Sequence, residues 1–236
     1  MNIAIIMASG YESQFLAGKR QIPKDLLNLY RKEIIANSLM RFSNNNLIDE
    51  IVVVTNLEYK QKVLSLIKEY NIPKIKAVIS GGITRQTSVY AALKYLENFY
   101  INNNFNVIIH DAIRILVNDE VINKNIEALE DYEAVSTIVE VNEPLIYSKD
   151  QKNLDSTISI DNAYIMQTPQ SFKYDTILSA HNFALHLNIN NSIDDACLMK
   201  LFNKDVHLIK GDKMNVKAST NDDLIIIKSI MEHFKK

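Results

Sequence analysis

An apolar stretch near the start of the chain, Ile3-Ala4-Ile5-Ile6-Met7, runs directly into the loop Ala8-Ser9-Gly10-Tyr11-Glu12-Ser13-Gln14-Phe15. The chain then continues with Gly18-Lys19-Arg20-Gln21-Ile22-Pro23-Lys24-Asp25. In α/β proteins a strand that leads into a loop of small residues often holds phosphates, because backbone N–H groups approach the oxygens and cations offset their charge. The stretch therefore predicts an α/β fold with a phosphate-binding loop, although Gly10 and Gly18 are few glycines for such a loop.

The composition limits the domain organisation, the class of ligand and the cellular compartment that we expect. The 236 residues are 47% hydrophobic, enough for a substantial core, and we expect one domain over residues 1–236. The formal net charge of -2 argues against nucleic-acid binding, so any nucleotide ligand is expected to be a small molecule. Cys197 is the single cysteine, which we interpret as a buried helix residue of a protein in a reducing cytoplasm. No apolar run reaches the roughly 18 residues of a membrane span, so we expect a soluble protein without a membrane partner.

Strand patterns alternate with helix patterns along the chain. The predicted strands are Ile3 to Met7, Glu50 to Thr55, Ile75 to Ser80, Asn106 to His110, Ala134 to Glu140 and Val206 to Lys210. The predicted helices are Lys32 to Ser43, Leu57 to Tyr70, Arg85 to Phe99, Asp119 to Glu130, Tyr174 to Leu187, Ile193 to Phe202 and Thr220 to His233. Several strands are too rich in Val and Ile for a half-exposed sheet, so the alternation predicts a three-layer, mostly parallel, Rossmann-like α/β fold. The polar stretch at about 141–161 breaks the pattern and is predicted to be a β-hairpin arm.

Residues directly after the strands are the first candidates for a binding site, because ligands of such sheets lie beyond the carboxyl ends of the strands. Gly81-Gly82 follows the third predicted strand, and Arg85 and Ser88 open the next helix, whose N-terminus favours anions. A plain tight turn is the alternative for the glycine pair.

Acidic and basic residues follow the later strands. Asp111 and Arg114 come after the fourth predicted strand, and Lys217 comes after the last. Asp111 is a candidate Mg²⁺ ligand and Arg114 a candidate anion-binding residue. The alternatives are a local ion pair between Asp111 and Arg114, and a solvated side chain for Lys217.

Six pieces of sequence occur in a characteristic order over almost the whole chain. They are Pro23-Lys24; Gly81-Gly82 with Arg85 and Ser88-Val89; His110-Asp111-Ala112 with Arg114; Gln167-Thr168-Pro169-Gln170-Ser171-Phe172; Asp194-Asp195-Ala196; and Gly211 with Asn215-Val216-Lys217 and Asp223-Leu224. In this order and spacing they resemble the cytidylyltransferase family that contains 2-C-methylerythritol 4-phosphate cytidylyltransferase and ribitol 5-phosphate cytidylyltransferase. The resemblance implies transfer of CMP from CTP to a phosphorylated polyol, with Mg²⁺ as cofactor and a homodimer held by the arm.

The resemblance also implies roles for individual residues. Lys24 and Lys217 match phosphate-binding lysines that stabilise the charge of the transition state. Asp111 is expected to bind the metal, and Arg114 and Ser192 are expected to contact the acceptor. No histidine takes part in the implied chemistry. The residues expected to bind the nucleotide are Ala8, Ser9, Gly10, Gly82, Arg85, Ser88 and Asp111.

The first loop departs from the family pattern. Where the family has a third glycine followed by a catalytic arginine, this chain has Glu12 and Gln14. A glutamate there repels a triphosphate, and glutamine supplies no positive charge. Lys19 or Arg20, in a slightly longer loop, is our candidate replacement, and Arg20 is the residue we take as catalytic. An Arg20→Ala variant that keeps the full rate would contradict that choice.

Acceptor contacts of the family are also changed. Glu143-Pro144 and Ile160 stand in the arm where the family contacts the acceptor phosphate, and Ile193 replaces a threonine beside Ser192. In one interpretation the enzyme holds the acceptor phosphate differently or uses an acceptor whose body is neither methylerythritol nor ribitol. In the other, the chain is a degraded paralogue that binds a nucleotide, or nothing, and serves as a partner or regulator. The retained cationic and acidic residues favour the enzyme. Uridylyl or guanylyl transfer is a rival activity, whereas a dinucleotide-dependent dehydrogenase is disfavoured because no Gly-x-Gly-x-x-Gly turn follows the first strand.

Overall fold

The computed structural model describes residues 1–9, 14–17, 20–29, 32–100 and 104–234, and for 14–17, 20–23 and 25 it describes the backbone. The strands of the described residues are β1 Asn2–Ala8, β2 Gln14–Ala17, β3 Arg20–Pro23, β4 Asn28–Leu29, β5 Lys32–Glu33, β6 Glu50–Thr55, β7 Ile75–Ser80, β8 Asn106–Asp111, β9 Ala134–Glu140, β10 Leu145–Tyr147, β11 Ser156–Ile158, β12 Tyr164–Lys173 and β13 His207–Lys210. Their α-helices are α1 Ile34–Asn44, α2 Lys60–Glu69, α3 Arg85–Glu97, α4 Asp119–Ala128, α5 Tyr174–His186, α6 Asp195–Leu201 and α7 Asn221–His233. None of these helices combines the length and the apolar character that a membrane crossing requires.

A mostly parallel sheet lies at the centre of the molecule. Within the described residues it has seven strands in the order β13-β9-β12-β8-β1-β6-β7. β1 runs parallel to both of its neighbours, β8 and β6, and the outer pairs β6–β7 and β9–β13 are parallel as well. The predicted α/β fold class is confirmed, and β6, β7 and β9 have the bounds predicted from the sequence.

One strand of this sheet, β12, is missing from the sequence predictions. It lies antiparallel between β9 and β8. Its middle, Gln167-Thr168-Pro169-Gln170-Ser171, is polar and contains a proline, yet it is buried, so neither an apolar run nor alternation reveals it. The register shifts between Gln167 and Gln170, and an irregularity of this kind is where a central strand tolerates proline.

Both faces of the sheet are covered. In β1, Ile3 and Ile5 pack in an apolar cluster with α3, α5 and α6. Ala4 and Ile6, which point to the opposite face, pack in a second cluster with α1, α2 and α4. Successive side chains of a strand alternate between faces, so β1 is buried on both sides and reads as a continuous apolar run.

A hairpin extends from the sheet where the arm was predicted. β10 and β11 pair antiparallel, with Leu145 opposite Ile158. The side chains of both strands are exposed, and Ile146 and Tyr147 are 55% and 54% exposed. This hairpin therefore presents apolar side chains that the described chain leaves uncovered.

A buried polar network fastens α4 to the irregular part of β12. Asn125 Nδ2 donates to the Val121 carbonyl at 2.9 Å and to Thr137 Oγ1 at 2.8 Å. Asn125 Oδ1 accepts a hydrogen bond from Ser171 Oγ at 3.0 Å, and Thr137 Oγ1 donates to the Pro169 carbonyl at 2.6 Å. Hydrogen bonds of this network thus replace part of the ladder that the shifted register interrupts.

Asn125→Ala is expected to lower the free energy of unfolding by about 1–3 kcal/mol, because the buried Ser171 hydroxyl loses its acceptor and Thr137 loses a donor. Glu127→Ala, on the exposed side of the same helix, is the matched control and should change the value by less than about 0.5 kcal/mol. Urea unfolding followed by circular dichroism measures both variants. Equal unfolding midpoints for the two would contradict the role of the network.

Candidate active site

The carboxyl ends of the parallel strands bring the predicted site residues to one edge of the sheet. Asp111 is the last residue of β8 and lies beside Met7 of β1. Ser9 follows β1, and Gly81-Gly82 follows β7. Three segments that are far apart in sequence therefore end at the same edge.

Among the described residues, three cations surround the Asp111 carboxylate. Arg85 Nε lies 3.4 Å from Oδ1, and Lys217 Nζ and Arg114 Nε lie 3.1 Å and 4.0 Å from Oδ2. Burial raises the pKa of Asp111, but Arg85, Lys217 and Arg114 together hold that pKa well below its usual range. Asp111 is therefore ionised at neutral pH. The local ion pair with Arg114 that the sequence suggested is the longest of the three contacts.

The two predicted phosphate-binding lysines lie near the same place. Lys217 Nζ contacts Asp111, while its side chain is 44% exposed. Lys24 Nζ donates a hydrogen bond to the Ser219 carbonyl, in the loop that carries Lys217. Lys24 lies in a 3₁₀ turn, Lys24–Leu26, directly after β3. The contact therefore joins the segment after β3 to the segment before α7.

Arg114 is largely bound to the protein itself. It is 9% exposed, its Nη1 donates to the Asn215 carbonyl at 2.9 Å, and its Nη2 is 3.5 Å from the Met166 carbonyl. Asn215 Nδ2 in turn donates to the Thr168 carbonyl at 2.9 Å. Arg114 thus holds the loop of Lys217 against β12, and its role in acceptor binding stays a prediction.

The polar middle of β12 positions the loops around the site. The Asp111 N–H donates to Thr168 Oγ1 at 3.0 Å, and Gln170 Nε2 donates to Asp194 Oδ2 at 2.9 Å. Gln167 Nε2 donates to a carbonyl of the loop after β13 at 2.9 Å. The sequence analysis quoted this segment as a family motif but gave it no role. The sequence signal that could have revealed this role is a polar run that lies among the apolar, buried strands.

His110 links the end of β8 to β12. Its Nε2 lies 3.1 Å from the Arg114 carbonyl, and its Nδ1 lies 3.1 Å from Thr168 Oγ1. Because a carbonyl only accepts, the hydrogen-bond network assigns the proton to Nε2, and the Thr168 hydroxyl donates to Nδ1. Burial lowers the pKa of His110 to about 4. His110 is therefore neutral and structural, in keeping with an implied chemistry without histidine.

The glycine pair after β7 lies where larger residues do not fit. A Cβ on Gly81 would lie 2.6 Å from Ser88 Oγ and 3.0 Å from the Ser9 Cβ, and a Cβ on Gly82 would lie 3.0 Å from the carbonyl carbon of Thr87. Ser88 Oγ donates to the Gly82 carbonyl at 3.2 Å. The pair therefore packs the loop against the end of β1 and the start of α3, which a plain tight turn would not require.

Arg85, the first residue of α3, bridges two carboxylates. Besides its contact with Asp111, its Nη1 lies 2.5 Å from Asp195 Oδ2. Asp195 is 1% exposed, and its Oδ1 lies 3.5 Å from His181 Nε2. Burial lowers the pKa of Arg85, but the negative charges of Asp195 and Asp111 raise this pKa by more than burial lowers it. The guanidinium therefore stays charged. Asp195 was quoted as part of a motif, and its ion pair could not be found without the fold.

Ser192 and Cys197 flank the Asp194-Asp195 motif. The Ser192 N–H donates to Gln86 Oε1 at 2.8 Å, which holds Ser192 beside the start of α3, and its acceptor role stays a prediction. Burial and the nearby Asp194 raise the pKa of Cys197 to about 11. Cys197 therefore lies in a helix as predicted and does not suit a nucleophile, but it is only partly buried, so the predicted burial was wrong.

Several predictions on the first loop fall outside the described residues. This applies to Gly10, Glu12 and Lys19, and to the side chains of Gln14 and Arg20. The backbone of β2 pairs antiparallel with that of β3. The candidate replacement of the family arginine by Arg20 therefore stays a prediction.

The donor set at Asp111 fits a metal that arrives with a nucleotide. The described residues contain no group of three or more His, Cys, Asp and Glu side chains arranged to hold a metal ion. Mg²⁺, however, is usually bound by one or two carboxylates together with phosphates and water. The ionised Asp111 at the end of a central strand meets this requirement.

The carboxyl edge of a mostly parallel sheet is where α/β proteins bind nucleotides, and this chain is a nucleotidyltransferase. Residues 2–233 match the family of 2-C-methyl-D-erythritol 4-phosphate cytidylyltransferase, and the chain belongs to this family.

Relatives with two different names are similar to this chain. Ribitol-5-phosphate cytidylyltransferase of Streptococcus agalactiae serotype V is 31% identical over 233 residues, which cover 98% of this chain and 95% of the relative. 2-C-methyl-D-erythritol 4-phosphate cytidylyltransferase of Clostridium botulinum is 36% identical over 236 residues, which cover 98% of this chain and 97% of the relative. The crystal structure of 4-diphosphocytidyl-2C-methyl-D-erythritol synthase from Anaerococcus prevotii has a TM-score of 0.81 at 25% identity, over 98% of this chain and 96% of that one.

The neutral state of His110 predicts a loss of stability in mild acid. Between pH 4 and about 6.5 the unfolded chain binds a proton at this residue that the folded protein does not. The stabilisation is therefore fully present above pH 6.5 and falls by about 3 kcal/mol as the pH drops toward 4. The buried carboxylates with lowered pKa values, Asp111 and Asp195, titrate below this window.

Urea unfolding in metal-free buffer at a series of pH values measures this loss. His110→Gln is expected to remove most of the slope between pH 4 and 6.5. His186→Gln, at the exposed end of α5, should keep the wild-type slope. The same slope in both variants would rule out His110 as the source.

Proposed function

We propose that this protein transfers CMP from CTP to a phosphorylated polyol of the 2-C-methylerythritol 4-phosphate or ribitol 5-phosphate type, giving a CDP-polyol and pyrophosphate. The observation that carries the proposal is the ionised Asp111 with three cations around it, at the carboxyl edge of the sheet. Three positive charges against the two carboxylates that they contact, Asp111 and Asp195, leave a positive excess that attracts a triphosphate. Membership of the family supports the same reaction, and the two names among the relatives define the class of acceptor.

The proposed reaction is a single in-line displacement. An oxygen of the acceptor phosphate forms a bond to the α-phosphorus of CTP while the bond from that phosphorus to the bridging oxygen breaks, and pyrophosphate leaves with the electron pair. Such a transfer needs positioning and neutralisation of charge rather than proton transfer. We assign Lys24 and Lys217 to the negative charge that develops in the transition state, with Arg20 as a third cation. The exposed side chain of Lys217 and the contact between Lys24 and the Lys217 loop support this assignment.

The nucleotide is proposed to bind across the ends of β1, β7 and β8. The close packing of Gly81 against Ser9 and Ser88 supports this site, because it gathers the predicted base-binding segments in one place. The residues assigned to the nucleotide are Ala8, Ser9, Gly10, Gly82, Arg85, Ser88 and Asp111.

Asp111 is proposed to hold Mg²⁺ together with the phosphates. When bound, Mg²⁺ neutralises part of the triphosphate charge. On the acceptor side we assign Arg114 and Ser192. The contacts of Arg114 with Asn215 and Met166 fix its guanidinium close to Asp111, which suits a residue that orients a second anion.

We further propose that residues 1–236 form a single catalytic domain, with the arm at about 141–161, that works in the cytoplasm. The central sheet takes β1 from one end of the chain and β13 from near the other, which supports one domain. A single cysteine with a raised pKa is compatible with a reducing compartment.

Pyrophosphate release with each of the four ribonucleoside triphosphates and Mg²⁺ tests the reaction. The acceptors to compare are 2-C-methylerythritol 4-phosphate, ribitol 5-phosphate and glycerol phosphate. We expect release with CTP and one of the first two acceptors. Thermal stabilisation by CTP without any release would instead indicate a nucleotide-binding paralogue, and a lack of stabilisation at saturating CTP would contradict the proposed function altogether.

A pair of lysine variants tests the proposed catalytic charge in the same assay. Lys217→Met should lower kcat by about 100-fold or more, since it removes a group that stabilises the transition state. Lys213→Met changes an exposed lysine of the same loop and should leave the rate within about twofold, as surface substitutions usually do. Equal rates for the two variants would remove Lys217 from the mechanism.

The hairpin β10–β11 is proposed to join two copies of the chain. An isolated two-stranded hairpin is only marginally stable in water. The apolar side chains of this hairpin, Leu145, Ile146, Tyr147 and Ile158, are all at least 37% exposed. Burial against a second copy would cover them, and a symmetric dimer is the commonest arrangement.

Light scattering coupled to size-exclusion chromatography tests the dimer. The wild-type protein should have twice its chain mass of 27.0 kDa. Ile146→Asp combined with Tyr147→Asp should give monomers, because each charge would be buried in the interface. Leu57→Asp changes a side chain that is 75% exposed outside the hairpin and should leave the dimer intact. A monomeric wild-type protein would contradict the proposal.

A further inference from the structure

The Arg85 guanidinium is shared unequally between two carboxylates. Its Nη1 lies 2.5 Å from Asp195 Oδ2, whereas its Nε lies 3.4 Å from Asp111 Oδ1. Charge-assisted hydrogen bonds are strongest at about 2.7–2.9 Å and weaken with distance. Arg85 is therefore bound mainly to Asp195 and only loosely to Asp111.

Asp195 is held firmly in this position. It is 1% exposed, at the start of α6. Next to it, the Ala196 N–H donates to Gln170 Oε1 at 3.0 Å, and Gln170 Nε2 donates to Asp194 Oδ2. The carboxylate is thus anchored to β12, a central strand of the sheet.

One side of the Arg85 guanidinium lacks a hydrogen-bond partner among the described residues, which makes a second arrangement of this group possible. Its Nη2 is buried and makes no hydrogen bond to the described residues. Nε and Nη2 together form a fork that binds both oxygens of a carboxylate, and Asp111 is the carboxylate already next to Nε. If Asp195 did not hold Nη1, the guanidinium would be free to bind Asp111 in this bidentate way.

We propose that Asp195 is a positioning residue that holds the Arg85 guanidinium back from Asp111 and so keeps the Asp111 carboxylate open to a divalent metal bound with the nucleotide. The inference rests on the proposed function. A purely structural role for the Asp195–Arg85 pair would affect folding but would not change the affinity for the metal selectively.

Binding of Mn²⁺ in the presence of CTP, followed by electron paramagnetic resonance, tests this inference without any turnover. Asp195→Asn keeps the shape of the side chain but removes its charge. It should raise the Mn²⁺ concentration at half-saturation by about tenfold, the lower end of what loss of an outer-shell partner usually costs. Asp205→Asn is the matched control, because Asp205 forms an exposed ion pair with Lys200 of α6 at 2.9 Å, and it should leave half-saturation unchanged.

The double variant Asp195→Asn with Arg85→Gln separates positioning from structure. It removes the competitor for Asp111 along with Asp195, so half-saturation should equal that of Arg85→Gln alone, the variant that accounts for the part of Arg85 in nucleotide binding. Because both charges of the buried pair are removed together, this variant also serves if the single variant does not fold.

Two results with the variants would overturn the inference. One is wild-type Mn²⁺ affinity in Asp195→Asn, and the other is weaker Mn²⁺ binding in the double variant than in Arg85→Gln alone. If the wild-type protein bound CTP with no effect of the metal, this inference alone would fail. If it bound neither CTP nor Mn²⁺, the proposed function would fail as well.

Discussion

The Asp111 carboxylate carries a full negative charge at a place where little water reaches it. A buried charge of this kind costs several kcal/mol unless cations and hydrogen bonds compensate it. Here the compensation comes from Arg114, three residues along the chain, and from Arg85 and Lys217, which belong to segments far from Asp111 in sequence. Each segment has to be in its folded position before the charge is neutralised. The site and the fold therefore depend on each other through the charged carboxylate of Asp111.

Hydrogen bonds from β12 hold neighbouring segments of the site in place. Its polar middle contacts the end of β8 through Thr168, the start of α6 through Gln170 and the loop after β13 through Gln167. Because this strand runs antiparallel between β8 and β9, it lies in the interior of the sheet, where every polar group needs a partner. The same hydrogen bonds that satisfy the strand also fix the loops. Asn125 and Thr137 complete the arrangement from the side of α4.

The sequence predicted the parts of the fold that depend on local pattern. β6 and β9 are apolar runs with clear ends, and their bounds agree with the structure. β12 has no such pattern, because its buried side chains are polar and their partners lie in other segments. Within the site, Asp111, Lys217 and the glycine pair were found because they directly follow strands or match family motifs. Their roles, and that of Arg20, stay predictions. The pairing of Asp195 with Arg85 was out of reach, since it joins two helices whose packing no local pattern reveals.

Lys217, which contacts Asp111, comes late in the 236-residue sequence, and the segment around it packs through Ala218 with Ile34 and Ile113. During synthesis the ribosome releases β1, β6, β8 and Arg85 long before it releases this lysine. A nascent chain thus has most of its sheet available while the charge at Asp111 is still only partly compensated. The active site is consequently complete only after the segment of Lys217 has been synthesised and has packed against Ile34 and Ile113.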